Sequence, residues 1–89
     1  MSNNINFQEL ISQGAIVIDV RTKEEFLQGH SKTAINIPLK DFGNKVKNLD
    51  ATKPIITCCA SGNRSGQAID ILLKNGFVNV HNAGSWLNL

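Results

Sequence analysis

Two adjacent cysteines, Cys58 and Cys59, stand immediately before a short polar segment that contains Arg64. Because an apolar run precedes this segment and helical spacing follows it, we expect a loop that leads from a strand into a helix N-terminus. Such a loop points backbone N–H groups inward, and the helix dipole adds partial positive charge. A thiol at its centre is favoured as the nucleophilic thiolate. The candidate site is therefore Cys59 as nucleophile, with a substrate-binding loop formed by Ala60, Ser61, Gly62, Asn63, Arg64 and Ser65.

The residues of this loop differ in what they would contribute. Ala60, Ser61 and Gly62 are small enough for close backbone approach, and Gly62 can adopt a positive φ without penalty. Arg64 would supply a permanent cation and a planar fork for an oxyanion. Ser65 is predicted to cap the helix that follows. The loop contains one cation and no acid, which favours an anionic substrate.

Two different spacings can be counted across this loop. Four residues separate Cys59 from Arg64, and five separate Cys58 from Arg64. Phosphate-transferring cysteine enzymes of comparable design have five residues between the cysteine and the arginine, and the loop they form suits a tetrahedral phosphoryl group. A loop with four intervening residues is tighter and better matches one sulfur atom on the cysteine. A strand's pleat places Cys58 and Cys59 on opposite sides, so only one can face the loop centre. The sequence favours Cys59 as the nucleophile. It predicts that Cys58 is a buried core thiol, with a resolving or second sulfur-bearing role as the alternative. Two alternative functions remain open: a phosphatase or arsenate-reductase-like enzyme that uses the five-residue spacing from Cys58, and a non-catalytic interaction module.

Strands and helices are expected to alternate around the loop. Apolar, β-branched runs predict strands at 15–20, 33–37, 54–58 and 77–81, and helical spacing and caps predict helices at 7–13, 22–29, 39–49 and 65–75. This alternation predicts an α/β fold, with a mostly parallel central sheet of four to five strands and helices on both faces. Ligands bind such sheets beyond the carboxyl ends of the strands. Asp19 and Arg21 fall there, and we expect them to support the loop or a neighbouring helix rather than to react.

The composition excludes several classes of protein. The chain has 89 residues, of which 42% are hydrophobic and 18% charged, and residues 1–89 are predicted to form a single domain. The net charge of +2 comes from scattered basic residues, which argues against nucleic-acid binding. No apolar run is long enough for a membrane span, and Met1–Leu10 shows no signal-peptide pattern, so a cytoplasmic location is expected. Two adjacent cysteines make a poor zinc site, and no metal or organic cofactor is indicated.

Five segments together resemble the rhodanese-like sulfurtransferase family. The resemblance extends from about Asn6 to Trp86. It rests on IDVRTKEEFLQGH at 18–30, AINIPL at 34–39, CASGNRS at 59–65, GFVNV at 76–80 and AGSW at 83–86.

The resemblance implies a thiosulfate sulfurtransferase, or rhodanese-like transferase, that carries sulfane sulfur as a persulfide on Cys59. It also implies a small anionic donor such as thiosulfate. The acceptor would be cyanide or a thiol, the latter either a small molecule or a thioredoxin-like protein.

Overall fold

The computed structural model describes residues 5–89, in which strands and helices alternate along the chain. The elements are α1 (Phe7–Ser12), β1 (Ile16–Asp19), α2 (Lys23–Gln28), β2 (Ala34–Asn36), α3 (Leu39–Lys45), β3 (Ile55–Cys59), α4 (Asn63–Lys74) and β4 (Val80–Ser85), with short 3-10 helices at Val46–Asn48 and Trp86–Asn88.

The four strands form one sheet in the order β2-β1-β3-β4, and every neighbouring pair is parallel. The predicted α/β fold with a parallel central sheet is therefore confirmed. Since the strands run the same way, their carboxyl ends meet at one edge, where Asp19 of β1 lies beside Cys58 of β3. The segments that follow β1 and β3 are thus brought together at this edge.

Helices cover both faces of the sheet. On one face, Ile18 and Cys59 belong to a buried cluster with Phe42 of α3 and Leu72 of α4. On the other face, α1 and Trp86 pack against a second cluster of Val17, Ile56, Cys58 and Ala83. The two cysteines thus belong to different cores, as the period-2 alternation of a strand requires.

The predicted N-terminal caps of the first two helices are confirmed. The side chain of Asn6 accepts a hydrogen bond from the N–H of Glu9 at 3.0 Å. Thr22 and Glu25 form the reciprocal capping box, at 3.2 Å and 3.0 Å. This box places the Glu25 carboxylate at the start of α2, on the edge of the sheet where Cys59 lies.

Other predicted boundaries are wrong. The helix expected at 39–49 is α-helical only as far as Lys45 and continues as the 3-10 helix Val46–Asn48. Ser65 is not a cap, because Gly62 is the N-cap of α4 and Ser65 lies inside the helix. The last strand is Val80–Ser85 rather than 77–81, because Phe77 packs into the core before the chain pairs with β3.

Candidate active site

The loop after β3 is shaped by a glycine in the left-handed region. The chain leaves β3 at Cys59 and enters α4 at Asn63. Gly62 between them has a φ of +103°, and a Cβ there would lie 3.4 Å from the Cα of Gly84. Both the dihedral angle and the close approach favour glycine. The turn directs the Gly62 N–H at the sulfur of Cys59, 3.0 Å away.

The Cys59 sulfur lies among hydrogen-bond donors at the start of α4. Besides the Gly62 N–H, it accepts from the Ser65 N–H at 3.4 Å, and the Ser65 Oγ lies 3.3 Å away. Burial is the largest single influence on the pKa of Cys59 and raises it. The hydrogen bonds from the Ser65 side chain and from the backbone of Ser65, Gly62 and Ser61 together outweigh burial, and the pKa falls from 9.0 to about 7. A large fraction of Cys59 is therefore thiolate at neutral pH.

Cys58 has the opposite environment. It faces the other core and has no exposed surface. Burial, followed by the negative charge of Asp19, raises the pKa of Cys58 from 9.0 to about 12. Its thiol consequently stays neutral over the physiological range.

A polar network anchors Ser65, and sequence analysis missed two of its members, Asn82 of β4 and Thr57 of β3. The Ser65 hydroxyl lies 2.6 Å from the Asn82 Oδ1, to which it donates when its proton does not point to the Cys59 sulfur, and the Asn82 Nδ2 donates to the Gly62 carbonyl at 3.1 Å. Thr57 of β3 donates to the Ser65 carbonyl at 3.0 Å. The parallel register places Asn82 opposite Thr57 and could have revealed Asn82 as a member of the site. The last strand, however, was predicted to end at residue 81, one residue before Asn82.

Arg64 is paired with an acid that comes from another part of the chain. Its guanidinium donates to both carboxylate oxygens of Glu25, at 2.7 Å and 3.1 Å. The loop itself has one cation and no acid, as expected, but α2 adds the carboxylate of Glu25 to the site, which sequence analysis missed. Hydrogen bonding from Arg64, followed by that from the Thr22 N–H, lowers the pKa of Glu25 from 4.5 to about 2. The pair stays charged, with no net charge, throughout the physiological pH range.

Asp19 and Arg21 form a buried ion pair near the same edge, 2.7 Å between the Arg21 Nη2 and the Asp19 Oδ2. Arg21 also donates to the Gly29 carbonyl at 2.7 Å and lies over the Trp86 ring, 4.7 Å from its centroid. Within residues 5–89, none of their side-chain hydrogen bonds reaches the segment from Cys59 to Ser65. Of the two expected roles, support of the loop or of a neighbouring helix, these contacts fit the second, because they fix the end of α2, which in turn carries Glu25.

A cavity of about 810 Å³ opens beside Arg64. Its other walls are formed by residues of α2 and α3, by the turns before these helices and by Asn36 at the end of β2. In the part of the chain that the structure describes, no three His, Cys, Asp or Glu side chains gather in a way that could hold a metal ion. No helix among the described residues has the length and hydrophobicity needed to cross a membrane.

Comparison with known proteins connects this geometry to a family. A family model described as a rhodanese-like domain matches residues 5–87. The chain is 41% identical to the thiosulfate sulfurtransferase PspE of Escherichia coli strain K12 over 69 residues. The aligned region covers 75% of this chain and 66% of that protein. It is 38% identical to the thiosulfate sulfurtransferase GlpE of Ectopseudomonas mendocina over 77 residues. The aligned region covers 83% of this chain and 68% of the relative. The chain thus spans about two thirds of the length of these relatives.

Solved structures give the same result. A rhodanese from E. coli, described as containing anions, has a TM-score of 0.79 and 36% identity, covering 85% of this chain and 92% of that one. A rhodanese-related protein from Thermoplasma volcanium has a TM-score of 0.77 and 32% identity, covering 97% of this chain and 91% of the other. The predicted family, and the prediction of a thiosulfate sulfurtransferase-type enzyme at the level of that family, are confirmed. With its parallel sheet and its cysteine loop at the carboxyl edge, the chain belongs to the rhodanese-like domain family.

Proposed function

We propose that this chain is a sulfurtransferase that moves sulfane sulfur from thiosulfate, or a similar anionic donor, to a thiol or cyanide through a persulfide on Cys59. The observation that carries the proposal is the position of the Cys59 sulfur, 3.0 Å from the Gly62 N–H and 3.4 Å from the Ser65 N–H at the start of a helix. This arrangement stabilises negative charge on sulfur, which both the attacking thiolate and the persulfide carry.

The first half-reaction transfers one sulfur atom to the enzyme. The Cys59 thiolate attacks the outer sulfur of thiosulfate and forms a new S–S bond. The bond between that sulfur and the sulfonate sulfur breaks, and its electron pair leaves with sulfite. The product on the enzyme is the persulfide anion of Cys59, whose outer sulfur is left facing the same loop.

The second half-reaction returns the enzyme to its starting state. A thiolate or cyanide attacks the outer sulfur of the persulfide and forms a persulfide or thiocyanate. The S–S bond to the enzyme breaks, and its electron pair restores the Cys59 thiolate. Because the donor product leaves before the acceptor reacts, this scheme requires ping-pong kinetics.

The other loop residues would bind and orient the donor. Ala60 and Ser61 leave room for it, and Asn63 and Ser65 fix the first turn of α4. Arg64 uses one N–H from each terminal nitrogen to hold Glu25, so further guanidinium donors remain for an anionic group. Chemistry through Cys58 has no support in this geometry, because its thiol faces the other core and has a raised pKa.

Intact mass spectrometry after treatment with thiosulfate tests the proposal. We expect a gain of about 32 Da, one sulfur atom, that cyanide removes as thiocyanate. Cys59→Ser should abolish the gain, and Cys58→Ser, the matched control one residue away, should retain it. Retention in folded Cys59→Ser, or equal loss in both variants, would refute the assignment of Cys59.

The natural acceptor and the location of the protein are separate proposals. We propose a thiol acceptor, either a small thiol or a thioredoxin-like protein, and the rate of persulfide loss with each distinguishes them. The cytoplasmic location stays a prediction, which cell fractionation can test.

A further inference from the structure

We propose that Glu25 determines the charge selectivity of this site, because its carboxylate neutralises Arg64 and thereby weakens the binding of highly charged anions near Cys59. The inference deepens the proposed sulfur transfer and rests on it only where thiosulfate is the probe. It concerns selection between donors and gives Glu25 no part in the chemical step.

Glu25 is held in this position by two elements at once. Its Oε1 accepts from the Thr22 N–H at 3.0 Å and from the Arg64 Nη1 at 2.7 Å. Its Oε2 accepts from the Arg64 Nη2 at 3.1 Å. The capping box therefore fixes the carboxylate at the start of α2, while the bidentate contact ties α2 to the first turn of α4.

The pair lies at the open side of the loop rather than in the core. About a third of each side chain is exposed, 34% for Arg64 and 38% for Glu25. Cys59, by contrast, is 1% exposed. Hydrogen bonding to Glu25 is the largest cause that raises the pKa of Arg64, and the negative charge of Cys59 is a smaller one. Arg64 also directly precedes Ser65, whose N–H lies 3.4 Å from the Cys59 sulfur, so an ion approaching Cys59 experiences the charges of both members of the pair.

The effect must grow with the charge of the reactant. In a partly solvated site, one unit charge on a neighbouring side chain changes the binding or rate of a monoanion by about 2- to 4-fold. For a dianion the energy doubles and the factor is squared, to about 4- to 15-fold. A neutral reactant should not respond. Removal of the Glu25 charge should therefore produce a graded response that follows reactant charge.

The experiment compares two variants of the full chain. Glu25→Gln removes the charge but keeps an amide that can complete the capping box, so α2 is preserved. Glu24→Gln removes the same charge one residue away, from a carboxylate that makes no salt bridge within residues 5–89. Alkylation rates of Cys59 are measured with iodoacetate and with neutral iodoacetamide, at a pH above the pKa of Cys59 in every variant. The KM for thiosulfate is measured in parallel.

We expect Glu25→Gln to raise the ratio of the iodoacetate rate to the iodoacetamide rate by about 2- to 4-fold and to lower the thiosulfate KM by about 4- to 15-fold. Glu24→Gln should leave the alkylation ratio nearly unchanged. Equal changes in the two variants would show a diffuse charge effect and overturn the inference. No change, or a lower ratio, in Glu25→Gln would also overturn it, since Glu25 would then merely hold Arg64 in place. If wild type forms no persulfide, the proposed function fails, but the alkylation ratio still tests Glu25.

Discussion

Replacement of Ser65 by alanine tests whether the loop creates the reactive thiolate. The Ser65 Oγ lies 3.3 Å from the Cys59 sulfur, and its proton can point to that sulfur or to the Asn82 Oδ1 at 2.6 Å. Ionisation of Cys59 draws this proton toward the sulfur, because a thiolate is the stronger acceptor. Ser65→Ala removes that donor while keeping the Ser65 backbone N–H, the Gly62 N–H and the helix. We therefore expect the pKa of Cys59 to rise.

The structure sets the size of this rise. A pKa of about 7 in place of 9.0 represents roughly 3 kcal/mol of net preference for the thiolate, reached against the cost of burial. A charge-assisted hydrogen bond contributes roughly 1.5–3 kcal/mol. The hydroxyl must give up its bond to Asn82, so the lower end applies, and the pKa should rise by roughly 1 pH unit. At neutral pH the alkylation rate should then fall by roughly fivefold.

The assay is alkylation by iodoacetamide across pH, with Cys58 and Cys59 distinguished by peptide mass spectrometry. Wild-type Cys59 should react with a midpoint near 7, and its rate should rise with pH because the thiolate is the reactive form. Ser61→Ala is the matched control, since it removes a hydroxyl from the same loop but keeps the backbone N–H. An unchanged midpoint in folded Ser65→Ala would refute this account of the loop, as would modification of Cys58 before Cys59.

Three further outcomes are expected. Arg64→Ala leaves the Glu25 carboxylate without its cation, so the thiosulfate KM should rise by about 10-fold or more, and an unchanged KM would remove Arg64 from donor binding. Asp19→Ala leaves the buried Arg21 cation without its carboxylate and should lower the free energy of unfolding by about 3–5 kcal/mol in urea denaturation. Native Cys58 titrates near 12 and its unfolded form near 9.0, so stability should fall by about 1.4 kcal/mol per pH unit above pH 9. Folded Cys58→Ala should lack that alkaline slope.

The features that sequence reasoning predicted well are those set by local periodicity. The alternation of side chains along a strand was enough to separate Cys58 from Cys59, and β3 places them in different cores. The Thr22–Glu25 capping box was predicted from a three-residue spacing, and the hydrogen bonds are present. Such features depend only on chain geometry within a few residues.

The features it missed depend on a contact between distant segments and on the backbone conformation at one glycine. Glu25 and Arg64 are 39 residues apart, and they meet because β1 and β3 pair in parallel and bring α2 beside α4. The capping role of Glu25 gave no hint of its second partner. Ser65 fits an N-cap by residue type, but the left-handed turn at Gly62 starts the helix earlier and leaves the Ser65 hydroxyl for Cys59.

The pleat of β3 has a consequence for how such sites diverge. The chain contains both spacings, with four residues between Cys59 and Arg64 and five between Cys58 and Arg64. The longer spacing cannot form the loop, because the strand turns the Cys58 side chain into the other core. One residue inserted between Cys59 and Arg64 would place five residues between them without altering the paired strand. The spacing between the nucleophile and the arginine can therefore change by a single insertion in the loop. An exchange of nucleophile would instead require β3 to slip by one residue between two strands, which would turn every side chain of β3 to the opposite face.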